Sequence, residues 1–432
     1  MSHPWRKIVH RTTAVGLLVL FAVLGAFGMA GTLQAQDEPP CESRDWACFS
    51  MDPVDEVPVQ VSQHYEHGVG SPLLIYLHRY APYGGSGVEE ELTWTKLWPA
   101  GSDDYGDYIG MNDQVIETPE GDTGWIYALP NGAIDPVSAC DIEDVRDLRY
   151  WNAFDDCCAF NYMGGGFTGL TPGAPDHPTY LNDLIRHLKS VYTIDPDRVY
   201  IMGFSAGGFL AHRMACLNGN VSYYAPHPPE PIAAIATLGG CLPTDLNQCQ
   251  SVKPVNILTE HATGDQSVPY SGGIETLTLE CWPDYPRAHA GALATIAGWI
   301  FLNRTSTDGE IRDSIIPLDV SVPYSIGENI RWSGGRDGAV VQHIRGIFGT
   351  HFINMSMNFR TFLVDWFLDH PRPGSQAPCT GDLDHDGIVS GADLNILLGD
   401  WGTDGIGDLD GSGIVDGADL TILLAHWGPC TG

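Results

Sequence analysis

The sequence has few basic side chains. It contains 21 lysine and arginine residues against 54 aspartate and glutamate residues among 432, and its formal net charge at pH 7 is −33. Nucleic acids and anionic membrane surfaces are repelled by a charge of this sign. We therefore expect no nucleic-acid partner, and a soluble protein suited to a salty or calcium-containing medium.

Long apolar runs are also lacking, except for one near the N-terminus. Three basic residues within the first eleven precede the uncharged segment Ala14–Ala30, which ends in small residues. This pattern is typical of a cleaved signal peptide, which we assign to residues 1–35, and it predicts a secreted protein. An uncleaved anchor is the alternative, because the segment from Ala14 to Leu33 is long enough to cross a bilayer.

The cysteines do not form a zinc-binding pattern. No Cys-x-x-Cys pair stands at metal-ligand spacing from histidines, which argues against a zinc site. All eleven cysteines follow the signal segment, and cysteines of an exported chain are mostly disulfide-bonded. The odd number leaves at least one thiol free or bonded to another chain. Cys157 and Cys158 are adjacent, so they either have different partners or form a vicinal pair.

Apolar strand patterns alternate with helical patterns through the body of the chain. Strand patterns include "SPLLIYLH", "DPDRVYIMGF" and "VNILTEHAT", and helical patterns include "YLNDLIRHLKSVY" and "FRTFLVDWFLDH". This alternation predicts an α/β fold with a doubly wound, mainly parallel sheet. We divide the mature chain into an N-terminal extension (36–70), a catalytic domain (71–372), a Pro- and Gly-containing linker (373–378) and a C-terminal tail (379–432).

One Gly-rich turn has the pattern of a catalytic serine. The motif "GFSAG" (203–207) is G-x-S-x-G between a predicted strand and a predicted helix, which is the context that this motif requires. The sharp turn projects the Ser205 hydroxyl above the sheet, and the N-terminus of the next helix favours a developing anion. An ordinary strand–helix turn is the alternative. We interpret Ser205 as the nucleophile.

The chain order Ser–acid–His of an α/β-hydrolase guides the choice of the acid. Asp265 lies in a loop just beyond the C-terminal end of the strand pattern "VNILTEHAT", where a triad acid belongs. A turn-forming aspartate in a Thr-Gly-Asp loop is the alternative. The other candidates lack such a strand context: Asp313, Asp319 and Asp337.

His351 is the predicted general base, because it follows a Gly-containing turn and precedes the last helix. His343 lies inside the preceding strand pattern, so we interpret it as a structural residue. An oxyanion hole needs two backbone donors. We assign one to the N–H of Ala206, the residue after the nucleophile. The second is assigned to Tyr80, in the loop after the first strong strand, with Arg79 as the neighbouring alternative.

These segments resemble the secreted feruloyl esterase / polyhydroxybutyrate depolymerase family. The similar segments are "WNAFDDCC", "DPDRVYIMGFSAGGFLAHRMAC", "EHATGDQSVPYSGG" and "GTHF" before a helix ending in "DHPR", and together they span nearly the whole body. The resemblance implies an α/β-hydrolase fold with a triad on Ser205, Asp265 and His351, and no cofactor for catalysis. The chain departs from the family pattern at three places: Arg79 replaces a glycine, "HATGD" replaces His-Gly-Thr, and "FINM" replaces an aromatic-rich loop.

The C-terminal tail contains a close internal duplication. Residues 382–402 match residues 408–428 at 15 of 21 positions. Each copy has alternating oxygen-bearing residues around a glycine, which is the arrangement of a 12-residue calcium loop. A solvated acidic turn is the alternative. The predicted ligands of two structural Ca²⁺ ions are Asp382, Asp384, Asp386, Ile388 (by its carbonyl), Ser390 and Asp393, and Asp408, Asp410, Ser412, Ile414 (by its carbonyl), Asp416 and Asp419.

Each loop runs into one apolar helix, "ADLNILL" or "ADLTILL", without a helix before it. A duplicated loop with a single helix resembles a type I dockerin, which implies a small all-α module that binds two Ca²⁺ ions and docks to a cohesin partner. The sequence "PCTG" occurs at both ends of this module, so we predict a Cys379–Cys430 disulfide. Loop positions 10 and 11, commonly polar partner contacts in dockerins, are Gly-Ala in both copies.

The leading functional hypothesis is an exported serine carboxylic ester hydrolase that forms an acyl-enzyme on Ser205. The dockerin-like module favours feruloyl or acetyl esters of plant polysaccharide over a hydroxyalkanoate polyester, so the substrate is expected to be polymeric. Two alternatives stay open. One is a serine peptidase on the same fold, and the other is a non-catalytic binding or scaffold protein.

Overall fold

The computed structural model of the chain describes eleven ranges: 6–7, 57–80, 95–97, 110–118, 120–134, 149–154, 175–276, 286–375, 380–383, 388–403 and 405–429. Almost all of the predicted signal peptide lies outside these ranges, as do parts of the extension, the linker and the first calcium loop. No helix within the described ranges is long and apolar enough to span a membrane.

The regular elements are short strands and seven α-helices within the described residues. The strands are β1 (Arg6–Lys7), β2 (Pro58–Val61), β3 (Ser71–Leu77), β4 (Ile116–Thr118), β5 (Gly121–Thr123), β6 (Ile126–Ala128), β7 (Ala133–Ile134), β8 (Arg149–Tyr150), β9 (Ile194–Phe204), β10 (Ala234–Leu238), β11 (Asn256–Ala262), β12 (Gly273–Thr276), β13 (Pro286–His289), β14 (Glu310–Pro317), β15 (Ile326–Trp332), β16 (Val341–Ile347), β17 (Ile388–Val389) and β18 (Gly428–Pro429). The helices are α1 (His177–Val191), α2 (Ala206–Cys216), α3 (Val221–Tyr224), α4 (Ala292–Asn303), α5 (Met357–Asp369), α6 (Gly391–Gly399) and α7 (Gly417–Ala425).

A ten-stranded sheet in the order β1-β2-β6-β3-β9-β10-β11-β16-β15-β14 forms the centre of the body. The six strands from β6 to β16 are parallel to one another, and antiparallel strands extend both edges. After β3 the chain adds β6 on one side, and it then builds β9, β10, β11 and β16 on the other. The predicted α/β-hydrolase fold with a mainly parallel sheet is therefore confirmed. Strand β2, inside the predicted N-terminal extension, belongs to this sheet.

The two faces of the sheet are covered by different helices. Helices α1, α2 and α4 contribute apolar side chains such as Leu181, Phe209 and Trp299 to one core, and α5 contributes Phe359 and Phe367 to the other. All five are at most 2% exposed. Burial of such a side chain contributes about 1.5–3 kcal/mol relative to exposure. Because helices cover both faces of the sheet, the strands between them are continuous apolar runs.

Helix α1 shows how local sequence begins and orients these elements. The side chain of Asp176 accepts a hydrogen bond from the backbone N–H of Thr179 at 3.1 Å, and Pro178 lies in the first turn. Leu181, Leu184 and Leu188 follow at helical spacing and are buried. The helix therefore begins where its N-terminal N–H groups gain a partner, and its apolar face packs on the sheet.

One disulfide lies within the described residues. Cys216, the last residue of α2, is bonded to Cys249, which follows a short 3-10 turn at Leu246–Gln248. Cys241 has a free, buried thiol. The other eight cysteines lie outside the described residues, and so does the predicted Cys379–Cys430 bond.

The tail is built on an approximate internal repeat. Val389 of β17 pairs with Gly428 of β18, and at an offset of 26 residues Val415 exchanges backbone hydrogen bonds with Gly402 and Thr403. The side chains buried between the copies are Leu383, Val389, Leu397, Val415 and Leu423. The tail thus contains a strand pair that the all-α expectation did not include, since two-residue strands have no periodicity to read.

Candidate active site

Ser205 lies on a strained turn between β9 and α2. Its backbone φ of 52° and ψ of −118° are unusual for a residue with a side chain, and such conformations cost about 1–3 kcal/mol. The Ser205 N–H donates to the Leu238 carbonyl at 2.8 Å, and the Ser205 carbonyl accepts from the Phe209 N–H at 3.1 Å. These two bonds fix the turn, and the hydroxyl is half-buried at the carboxyl end of the sheet.

Two glycines permit the close packing of this turn. A Cβ atom on Gly207 would lie 2.1 Å from the Leu77 carbonyl oxygen, and one on Gly203 would lie 2.2 Å from the Gly207 carbonyl oxygen. Both separations are far below any van der Waals contact. The N-terminus of α2 therefore approaches the end of β3 only because these positions are glycine.

The three predicted triad residues are hydrogen-bonded in series. Nε2 of His351 lies 2.9 Å from Oγ of Ser205, and Nδ1 of His351 lies 2.7 Å from Oδ2 of Asp265. A carboxylate oxygen can only accept, so Nδ1 carries the proton and Nε2 is left to accept from the serine hydroxyl. Ser205 follows β9, Asp265 follows β11 and His351 follows β16. Each comes from the carboxyl end of a parallel strand, where α/β folds bind ligands.

The carboxylate of Asp265 is held on both sides. Oδ1 accepts from the backbone N–H groups of Ser267 and Val268, each at 2.8 Å. Burial alone would raise the pKa of Asp265, but hydrogen bonds from His261 and His351 outweigh it and hold that pKa below its usual range. Asp265 is therefore an anion that can orient an imidazole and stabilise it when it becomes positive.

The predicted oxyanion donors lie on adjacent segments. Ala206 is the first residue of α2, and Tyr80 is half-buried in the loop after β3. The contact of Gly207 with the end of β3 brings these two segments together. The side chain of Arg79 lies over the Phe352 ring at 5.1 Å, and that ring contacts His351 edge-on at 5.3 Å. The role of the Tyr80 N–H stays a prediction.

The alternative candidates for the general base and the triad acid lie elsewhere in the fold. His343 is buried in β16, where its ring nitrogens lie 2.8 Å from the Thr259 hydroxyl and 3.0 Å from the Tyr270 hydroxyl. Burial lowers the pKa of His343 to about 3. Asp319 accepts from the Ser321 N–H at 2.8 Å. Asp337 is exposed in a 3-10 turn, and the side chain of Asp313 lies outside the described residues.

Several groups around the triad were not predicted from the sequence. The Phe204 ring packs on the His351 ring at 5.1 Å, and Gly239, with φ of +59°, leaves room for that histidine. His261 is a second imidazole near Asp265, with Nε2 3.5 Å from Oδ2, and its Nδ1 lies 3.7 Å from the Cys241 thiol. His261 and Asp265 are four residues apart in "EHATGD", but this spacing does not predict a contact, because the turn between them brings the two side chains together.

The calcium loops are described in part, and Asp384 and Asp386 lie outside the described residues. In the second loop, carboxylate oxygens of Asp408, Asp410 and Asp419 lie within 4.8 Å of one another. The buried Asp419 accepts backbone N–H groups at both oxygens, and these bonds lower its pKa. Three anionic oxygen donors at this separation fit a hard cation such as Ca²⁺.

The remaining predicted ligands have local hydrogen bonds. Ser390 and Asp416 cap α6 and α7, and Asp393 accepts from the N–H groups of Leu383 and Ser390 as Asp419 does in its own loop. The Ser412 hydroxyl donates to the Ile414 carbonyl at 3.1 Å. Asp382 is buried, and the backbone of Ile388 lies in β17. The carboxylates that lie together are thus those of Asp408, Asp410 and Asp419, and the ligand roles of Ser412 and Asp416 stay predictions.

Comparison with known proteins finds partial similarities. No protein-family model matches the chain. It is 29% identical over 105 residues to NocK of Nocardia uniformis subsp. tsuyamanensis, named as an esterase, and this alignment covers 24% of the chain and 28% of NocK. It is 26% identical over 128 residues to feruloyl esterase B of Piromyces equi, with 30% of the chain and 22% of that protein covered. The chain thus matches about a quarter of the length of these curated relatives.

Similar solved structures include the acetyl xylan esterase from Aspergillus awamori. That structure has a TM-score of 0.40 and 12% identity, and the match covers 72% of this chain and 93% of that one. A ferulic acid esterase from Anaeromyces mucronatus has a TM-score of 0.33 and 12% identity, with 71% and 83% covered. The strand order and connections given above define the fold of this chain.

Proposed function

We propose that this protein is an exported serine carboxylic ester hydrolase. The observation that carries the proposal is the series of hydrogen bonds from Ser205 through His351 to Asp265, on three loops at one edge of the sheet. The strained turn at Ser205 and the names of the two partly matching relatives support it. The predicted signal segment supports export.

The reaction follows from this arrangement. Oγ of Ser205 attacks the ester carbonyl while Nε2 of His351 takes the hydroxyl proton, and Asp265 stabilises the resulting imidazolium. Backbone N–H groups, that of Ala206 and the predicted one of Tyr80, stabilise the negative oxygen of the tetrahedral intermediate. His351 returns the proton to the departing alcohol. Water, deprotonated by the same imidazole, then cleaves the acyl-enzyme and releases the acid.

The first test compares ester and peptide substrates. We expect the full chain to hydrolyse p-nitrophenyl acetate, and Ser205→Ala to lose that activity and its labelling by a fluorophosphonate probe. Faster turnover of peptide anilides would favour the peptidase alternative. Absence of labelling in the wild type would favour a binding or scaffold protein, and ester turnover that survives Ser205→Ala would refute the triad assignment.

The proposal extends to the acyl group of the ester substrate. Because one relative is named a feruloyl esterase, we propose feruloyl or acetyl esters of plant polysaccharide as first substrates, with hydroxyalkanoate polyester as the alternative. A panel of methyl ferulate, acetylated xylan and polyhydroxybutyrate measures this directly. A higher kcat/KM on the polyester than on either polysaccharide-type ester would contradict the proposal.

A separate observation favours calcium binding by the tail. The convergence of Asp408, Asp410 and Asp419 supports one Ca²⁺ site, and the duplication supports a second in the first loop. Calorimetric titration of the full chain should give two binding events, and Asp408→Ala should remove one. No heat with either protein would contradict the assignment.

The tail also carries a repeated apolar surface, which supports its role as a docking module. Leu398 and Trp401 are exposed, as are Leu424 and Trp427 at an offset of 26 residues. Apolar surface of this kind is typical of an interaction site. A cohesin-like partner is the prediction of the dockerin resemblance, and pull-down of a purified cohesin domain in Ca²⁺ and in EDTA tests it.

A further inference from the structure

Asp265 has a second imidazole neighbour besides His351. Oδ2 of Asp265 lies 3.5 Å from Nε2 of His261. The same Nε2 lies 2.7 Å from the Val268 carbonyl oxygen, and a carbonyl can only accept, so Nε2 of His261 carries a proton. His261 therefore directs an N–H toward the acid turn whatever the state of its other nitrogen.

This N–H closes the turn that carries the acid. Val268 donates its own N–H to Oδ1 of Asp265 at 2.8 Å and accepts from His261 through its carbonyl, so it is held from both sides. The N–H of Asp265 donates to the Ala262 carbonyl at 3.2 Å, and the Ser267 N–H donates to Oδ1. Oδ2 thus has the Nδ1–H of His351 as its hydrogen-bond donor at 2.7 Å, and the His261 N–H, bound to the Val268 carbonyl, stands 3.5 Å away.

His261 is itself fixed by its surroundings. It is buried in β11, its Nδ1 lies 3.7 Å from the Cys241 thiol, and the Tyr270 ring meets its ring edge-on at 5.5 Å. Burial would raise the pKa of the Cys241 thiol, but His261 and His289 lower it to about 7. Burial would lower the pKa of His261, but Cys241 and Asp265 together raise it well above its usual value. The titratable groups that contact His261 or interact with it electrostatically are Cys241, Asp265, Glu260, Tyr270, His212 and His343, and His289 is a second partner of the Cys241 thiol.

We propose that His261 is a positioning residue for the proposed ester hydrolysis, and that its Nε2–H, donated to the Val268 carbonyl, holds the turn that keeps Oδ2 of Asp265 directed toward His351. The inference rests on the proposed function. His261 acts through the Asp265 turn and does not touch the reacting atoms. Without it, the Val268 end of the turn loses its anchor and Oδ2 loses a nearby N–H, so the imidazole of His351 is less well aligned with Ser205.

The test compares His261→Leu, which removes the N–H donor, with His343→Leu. His343 is an equally buried imidazole on the adjacent strand β16, and its ring nitrogens lie within hydrogen-bond distance of the Thr259 and Tyr270 hydroxyls, so it is the matched control. We expect His261→Leu to lower kcat on p-nitrophenyl acetate roughly 10- to 100-fold with little change in KM, because misalignment affects the reacting groups more than ground-state binding. His343→Leu should keep kcat within about 3-fold at an equal loss of Tm.

The pH profile separates positioning from general destabilisation. Loss of the Nε2–H beside Asp265 leaves the negative charge of that carboxylate less stabilised, which favours the protonated form of His351. The midpoint of the acidic limb of kcat/KM should therefore move to higher pH, by roughly 0.5 or more, in His261→Leu but not in His343→Leu. A purely structural role would leave this midpoint unchanged.

Two results would overturn the inference: a normal kcat and pH profile in His261→Leu, or changes equal to those of His343→Leu. If His261→Leu does not fold, His261→Asn takes its place, because its shorter amide cannot put an N–H at the position of Nε2, and it should shift the acidic limb in the same direction. An unchanged profile there would also refute the inference. A wild type without esterase activity refutes the proposed function instead, so the two failures are distinguishable.

Discussion

Glu260 is a buried carboxyl group whose ionisation should control stability at alkaline pH. It lies in β11, next to His261, and is 5% exposed. Burial raises its pKa from the ordinary 4.5 to about 8; the charge of His261 opposes this rise, and those of Asp265 and Asp319 reinforce it. The folded protein therefore keeps a proton that the unfolded chain releases near pH 4.5.

The sign and size of the effect follow from this difference. Between pH 4.5 and about 8 the unfolded state binds fewer protons than the folded state, so the free energy of unfolding falls as the pH rises. At about 1.4 kcal/mol per pH unit, the full window corresponds to roughly 4–5 kcal/mol, and the loss levels off above pH 8. Below pH 4.5 Glu260 is protonated in both the folded and the unfolded state, so it no longer makes the free energy of unfolding depend on pH.

Glu260→Gln removes this ionisation and keeps the shape of the side chain. We expect equal melting temperatures for wild type and variant at pH 5, measured by circular dichroism, and a variant that melts about 5 °C or more above wild type at pH 8.5. Glu66→Gln, at an exposed position, controls for the change in net charge. A difference in melting temperature between wild type and Glu260→Gln that stays constant from pH 5 to 8.5 would refute the reasoning.

Three further variants test the site and the fold. Asp265→Asn should lower kcat about 10⁴-fold with a near-normal KM in ester assays, because the imidazole loses its tautomer and its counter-charge; a loss below about 10-fold would contradict this role. Gly207→Ala should unfold at lower temperature and lose activity, since its Cβ would lie 2.1 Å from the Leu77 carbonyl oxygen, and a fully active variant would contradict the packing. The double variant Cys216→Ala/Cys249→Ala should lose about 3–4 kcal/mol in chemical denaturation with activity intact at 25 °C, because the bond closes a loop of 33 residues; an unchanged midpoint would exclude that contribution.

The main strands and helices could be predicted because their signals are local. All but the last residue of "SPLLIYLH" forms β3, and "YLNDLIRHLKSVY" and "FRTFLVDWFLDH" lie in α1 and α5 up to their C-cap residues Tyr192 and His370. Apolar runs and helical spacing depend on neighbours within a few residues, so they are legible in a single chain. The two-residue strands were not predicted, since pairs such as β17 and β18 exist only through their partners.

The candidate triad was predicted from a motif and a chain order, but its geometry was not. Ser205 and His351 are 146 residues apart in sequence, and Asp265 and His351 are 86 apart. Their contact depends on the parallel order β9-β10-β11-β16, which brings three loops to one edge. Sequence spacing does not contain that order.

Local sequence by itself determined the strained serine turn, the apolar layers and the duplicated acidic loops of this protein, because each depends on neighbouring side chains and backbone conformation. Tertiary structure alone decided which buried groups lie beside the Asp265 carboxylate. His261 carries no local signal that separates it from any strand histidine, and its approach to Asp265 follows from the closing of one turn. The raised pKa of Glu260 likewise comes from the layers packed around it, since desolvation and charge depend on distance in space.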